Sequence, residues 1–330
     1  VGQVLDWYFE NIYRTLEGPG VLPFYCDPER VGHFAVAPDE LATGKPTALF
    51  GFFVAQAMFQ ARRDVLIMEQ QRGMRRRDAT SLLSPALLRR KMSESDCAVL
   101  ASSKEFDRQC SVAKTGLVAD CARHHGVRCH VKDATGLLNR VGDMGKLPTS
   151  AWLHLLKEGA LTRGIEEVTA MSTDPRRRAE LLVDRFSRIH RVGRKLATMF
   201  VSALSTPPLA PGLTPWFPKI DGNDLVVVDT NVARAVAALR AQPAPSARGY
   251  DAAVLWIRNQ ARAVDLRRFD PALPKYSPRI VQQALYVFCS RSNRASRSDP
   301  CADRASECTN CIPRICPFRG SRSAEPRLTA

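Results

Sequence analysis

What this sequence lacks narrows it first. Its longest apolar run, "ALFGFFVAQAMF" (48–59), is twelve residues, against the ~20 needed to span a bilayer. No membrane partner is therefore expected. The chain starts at Val1 without a charged, apolar and then small-residue leader. A secreted protein is not expected, and the location expected is the cytoplasm (the bacterial nucleoid) or the nucleus. Between 80 and 200 there is almost no alternation of apolar and polar residues, which excludes an extensive sheet there. No internal repeat occurs. Acidic residues are in deficit: 33 Asp and Glu stand against 48 Lys and Arg, a net charge of +15. That balance disfavours a cationic partner and suits a polyanion, although a solvated arginine-rich surface gives the same count. The six histidines show no ligand or triad spacing, so His124, His125 and His190 receive no role.

What is present is ordinary in bulk: 45% hydrophobic and 25% charged residues match a globular protein. At 330 residues the chain has room for two domains. "VGQVLDWYFENIYRTLE" predicts a helix stopped by "GPG". A loop-like stretch follows to about Pro46, then an apolar helix from Thr47 through Gln60 and into the basic run ending at Arg77. Helical patterns continue in "SVAKTGLVADCARHHG" and "PRRRAELLVDRFSRIH". Prolines and glycines in "STPPLAPGLTPWFPKIDGND" predict an ordered surface loop or insertion. "LVVVDTNVARAVAALR" turns helical at Asp229 or Thr230, either a good N-cap. "SPRIVQQALYVFC" is a further helix with Pro278 in its first turn, and the final dozen residues read as a tail.

Two stretches carry chemistry. In "IHRVGRKLATMF", Val192, Leu196, Met199 and Phe200 define the buried face of a helix that follows a Val-Gly turn. Arg194 and Lys195 then sit at its N-terminal end, where the helix dipole disfavours positive charge. Either a negative partner belongs there or the lysine is wanted less basic. Near the C-terminus, Cys301-x6-Cys308-x2-Cys311-x4-Cys316 crowds four thiols into sixteen residues. Four thiolates so close need a metal. One C-x2-C pair flanked by single cysteines suits a loop around a four-iron cluster better than the two knuckles usual for zinc. Zinc, or plain thiols or disulfides, remain the alternatives. The other six cysteines (Cys26, Cys97, Cys110, Cys121, Cys129 and Cys289) are scattered and read as reduced core thiols.

"VGRK" opening a helix, then "VVVDT", then this cysteine loop resemble the endonuclease III branch of the helix-hairpin-helix DNA glycosylases. "FFVAQAMFQARRD" is similar to that family's early barrel helix. The likeness covers most of the chain in order. It departs where His190-Arg191 replaces Pro-Gly, where the loop before Asp229 is longer, and where the last cysteine spacing is shorter.

The resemblance implies an all-α fold of two lobes. Residues 47–205 would form a six-helix barrel with the helix-hairpin-helix motif. Residues 1–46 and 225–318 would form the lobe holding a [4Fe-4S] cluster on Cys301, Cys308, Cys311 and Cys316. Residues 206–224 would be an insertion loop and 319–330 a tail. It further implies a monomer acting on double-stranded DNA with a flipped target nucleotide. Lys195 would be the nucleophile, and Asp229 an electrostatic and proton-transfer partner across the cleft. Arg191, Val192, Gly193 and Arg194 would grip a phosphate, and Gln60 would fill the vacated stack. The reaction implied is base excision with AP-lyase cleavage. A glycosylase for a naturally modified base, in restriction or phage defence, is the alternative within the class. A non-catalytic DNA-binding module with a structural cluster is the alternative outside it.

Overall fold

The computed structural model describes residues 1–60, 64–95, 97–110, 112, 129–138, 144–240 and 249–290. Among them the regular elements are helical and no strand occurs. The protein is all-α, as the missing alternation predicts. In chain order the helices are α1 (Gly2–Tyr8), α2 (Pro28–Val31), α3 (Pro38–Ala42), α4 (Pro46–Ala57), α5 (Asp64–Gly73) and α6 (Arg76–Leu83). Then come α7 (Pro85–Ser93), α8 (Ser103–Gln109), α9 (His130–Leu138), α10 (Leu147–Leu155) and α11 (Ala160–Met171). The last five are α12 (Pro175–Phe186), α13 (Arg194–Ser205), α14 (Thr230–Leu239), α15 (Tyr250–Arg262) and α16 (Pro278–Cys289). No helix among the described residues is long and apolar enough to cross a membrane. Contacts divide the chain into two compact units, Val1–Gly18 with Asn223–Ala330, and Pro19–Gly222.

In the Pro19–Gly222 unit, α4 is apolar on every face and buries Leu49, Phe50, Phe52, Phe53 and Val54, as a central helix must. Phe53 meets Phe200 of α13 edge to face at 4.8 Å. Phe200 in turn lies 5.5 Å from Phe186 of α12 and 5.5 Å from Trp216. Each such ring pair adds about 0.5–1.5 kcal/mol beyond burial alone. Together they lock α12 and α13 onto α4 and so fix the turn between them.

Three expectations change here. The helix expected from Thr47 to Arg77 is three helices, with α4 ending at Ala57. Gln60 Nε2 donates to the Ala57 carbonyl at 2.7 Å, taking an acceptor that a further helical turn would use. Residues 19–46, expected with the cluster lobe, pack instead on α4 and α5. Tyr25 lies 4.6 Å from Phe52 and Phe24 5.5 Å from Phe59. At Gly32 (φ +57) an added Cβ would stand 2.9 Å from Arg72 Cα, so only glycine permits that approach. The segment expected as an insertion at 206–224 is sewn to α12 and α13: Trp216 N–H donates to Leu204 O, Gly222 N–H to Ser205 O and Asp221 N–H to Pro175 O. The pattern "SVAKTGLVADCARHHG" lies, apart from Val112, outside the described residues.

In the other unit α1 continues as a π-helical stretch, Phe9–Glu17, and stops at Gly18, where "GPG" predicts the end. Trp7 packs edge to face on Phe288 of α16 at 5.3 Å, and Phe9 stacks on Phe269 at 4.4 Å. The α16 helix begins as its sequence predicts, with Ser277 Oγ accepting from Ile280 N–H and Pro278 in the first turn.

Candidate active-site residues

Lys195 is placed by the turn that joins α12 to α13. Val192 N–H donates to Ile189 O at 2.9 Å, and Ile189 and Val192 are both buried. The turn is thus held by its apolar ends. His190 N–H donates to Ser150 Oγ at 3.0 Å and ties it to α10. Between these fixed points Arg191 takes φ +61, the left-handed region that costs a side-chain-bearing residue about 1–2 kcal/mol. Position three of such a turn ordinarily asks for glycine.

Gly193 follows as the N-cap of α13, with φ −77 and no side chain to cap the first amides. Those amides are the ones a helix cannot satisfy internally. An added Cβ at Gly193 would meet nothing within 4 Å, so the protein's own packing does not require glycine there. Lys195 lies in this first turn, half-buried, and its amine makes no hydrogen bond or ion pair with the described residues. Arg191 and Arg194 are exposed beside it.

The expectation for Val192 is corrected in part. Its amide is engaged in the turn and its side chain is buried, so an anion would meet the amides from Gly193 onward. Sequence reasoning missed Arg188, exposed at the start of the turn and without a side-chain partner among the described residues. Its position relative to the turn was the available signal. Gln60 is half-buried, with its amide on Ala57 O and 3.4 Å from Met144 Sδ.

Asp229 is placed differently. Its Oδ1 accepts from Val232 N–H at 2.8 Å, so it caps α14 as the sequence predicts. Its carboxylate makes no ion pair with the described residues. The extended segment before it, residues 223–228, is fixed by side chains of later helices. Tyr250 OH donates to Val226 O at 2.9 Å, and Val227 N–H donates to Gln282 Oε1 at 3.3 Å. The Arg258 guanidinium donates to Asp224 O at 3.1 Å. Gln282 Oε1 is held in turn by Arg279 Nη1 at 2.7 Å. Lys195 belongs to the Pro19–Gly222 unit and Asp229 to the other. Cys301, Cys308, Cys311 and Cys316 lie outside the described residues.

The basic charge is less available than its count implies. In "PRRR", Arg176 pairs with Asp221 at 3.3 Å and Arg177 with Glu180 at 2.8 Å, while Arg178 donates to Ser172 O and Lys219 O. In "LRRF", Arg267 bonds Asp265 and Arg268 bonds Asp6. Arg75 of "RGMRRRD" pairs with Asp78 at 2.9 Å. Much of the arginine in these runs is engaged within the protein. No family model, curated protein or solved structure matches the chain.

Proposed function

We propose that this chain is a DNA glycosylase with AP-lyase activity, built on a helix-hairpin-helix motif formed by α12, its turn and α13. The observation that carries the reading is the turn before Lys195. It keeps a left-handed backbone at Arg191, where the resembling family has glycine. It then leads into a helix whose first amides have no side-chain cap and whose second residue is an amine without a partner among the described residues. Helix amides so exposed suit a phosphate and read no sequence. Exposed Arg188, Arg191 and Arg194 add charge-assisted contacts.

In this reading the duplex presents a flipped nucleotide. The Lys195 amine attacks C1′ of its sugar, and the base departs with the glycosidic electron pair. The amine loses its protons to give a Schiff base, from which β-elimination breaks the strand. Asp229 stabilises positive charge on the sugar as the base leaves and relays protons. Four thiolates in one short loop, on Cys301, Cys308, Cys311 and Cys316, fit a [4Fe-4S] cluster as a donor set. Its contribution when bound is to shape a basic DNA-binding loop.

Borohydride trapping on a duplex with an abasic site tests the assignment, because the open sugar forms the Schiff base without base excision. The wild-type chain should yield a covalent adduct. Lys195→Ala should abolish it while binding persists. Undiminished trapping in Lys195→Ala overturns the role of Lys195. Binding without any adduct in the wild type would leave a non-catalytic DNA-binding module.

A further inference from the structure

Away from these residues, three of the scattered cysteines meet. Cys97 stands at the cap of a short helical turn (Ala98–Ala101), Cys110 at the C-cap of α8, and Cys129 immediately before α9. All three are free, half-buried, and line one cavity of ≈ 20 Å³ together with Phe106, His130 and Val131. That volume admits a single body the size of a water molecule. Burial pushes the Cys110 thiol up, the Val112 amide and Lys146 pull it down, and the neighbouring Cys129 and Cys97 push it up again.

A second observation bears on the same place. Lys146 is 5% exposed, and its amine donates to Asp107 O at 2.9 Å and Cys110 O at 3.0 Å, above the Phe106 ring. No carboxylate is among these contacts. A buried ammonium with only carbonyl dipoles around it is costly unless negative charge lies near.

We propose that Cys97, Cys110 and Cys129 bind a zinc ion. Three thiolates are soft ligands that select such a metal, and they supply three of its four tetrahedral positions. Three thiolates and Zn²⁺ carry one net negative charge, which the Lys146 ammonium balances. Among the described residues no three ligands already surround a common point. Each thiol therefore turns inward about its single side-chain torsion, which has three staggered wells. The ion joins three element ends over a small cluster, Val99, Phe106, Val112, Val131 and Leu153, where the apolar core alone is thin. His130 is left out, since its Nε2 is engaged with Thr149 Oγ1 at 3.1 Å. This site does not depend on the glycosylase reading.

The test uses the full chain, purified anaerobically, and measures zinc by mass spectrometry before and after chelation. Cysteine alkylation by iodoacetamide is then mapped with and without added Zn²⁺. One zinc per chain is expected, retained in Cys308→Ser and lost in Cys110→Ser/Cys129→Ser. In the wild-type chain, which avoids any folding defect of the variants, Cys97, Cys110 and Cys129 should alkylate severalfold more slowly with Zn²⁺. Equal alkylation of these three with and without Zn²⁺ overturns the proposal. So does zinc that leaves with Cys308→Ser and stays in Cys110→Ser/Cys129→Ser.

Discussion

Lys195 and Asp229 both stand at the start of a helix, yet the chain delivers them by opposite means. Before α13 the backbone is settled locally. The turn closes on itself through Val192 N–H and Ile189 O, is pinned by two buried side chains, and accepts a left-handed arginine. The helix is then left uncapped. Before α14 the helix start is capped within three residues by Asp229 itself. The approach to it is settled from far away, by Tyr250, Arg258 and Gln282. One start leaves its polar groups to a ligand; the other satisfies them before any ligand arrives. That contrast is what a phosphate grip and a fixed carboxylate respectively require.

The sharpest way to break the comparison is Asp229→Asn. Asparagine caps as well as aspartate, so thermal stability should hold. Base removal should fall by about 10²-fold or more, as when one electrostatic stabiliser is lost, with abasic-site trapping much less affected. An unchanged excision rate would reduce Asp229 to a cap.

Gln282→Ala comes next. It orphans the buried Val227 N–H and removes a partner of Arg279, which should cost about 1–3 kcal/mol in a denaturant titration. A loss well below that would mean the segment before Asp229 is not held from α16. Gly193→Ala probes the other helix start. Its φ and open surroundings predict less than about 1 kcal/mol of destabilisation. Duplex binding should weaken by about tenfold, the worth of one hydrogen bond to a charged group. Full affinity in that variant would remove the phosphate from the turn. Smallest is Arg191→Gly, which should stabilise the chain by about 0.5–1 kcal/mol after glycine's own entropy is counted. A thermal melt reads this directly, and a lower melting temperature would contradict the strain.

What the sequence disclosed of these sites follows the range of the forces involved. The Asp229 cap, Pro278 in the first turn of α16 and the stop at Gly18 are set within three or four residues, so composition reveals them. The left-handed Arg191 is invisible to pattern, because nothing about arginine announces a positive φ; only the burial of Ile189 and Val192 around it enforces it. The membership of residues 19–46 was misjudged because Tyr25 and Phe24 find their ring partners at Phe52 and Phe59, beyond any local signal. The convergence of Cys97, Cys110 and Cys129 escaped for the same reason, their spacing matching no motif. The charge count misled more subtly, since it cannot distinguish an arginine facing solvent from one bonded to Asp221.

The clamp on residues 223–228 also orders events in time. The Asp229 cap spans three residues, so it can form as soon as α14 leaves the ribosome. Its supports arrive later, since Tyr250, Arg258 and Gln282 lie 24, 34 and 55 positions beyond the groups they bind. Each closure over a longer stretch of chain costs more entropy and comes more slowly. A nascent chain ending short of Gln282 would therefore carry α14 and its carboxylate with nothing to aim them, and this residue would become competent only near the end of synthesis.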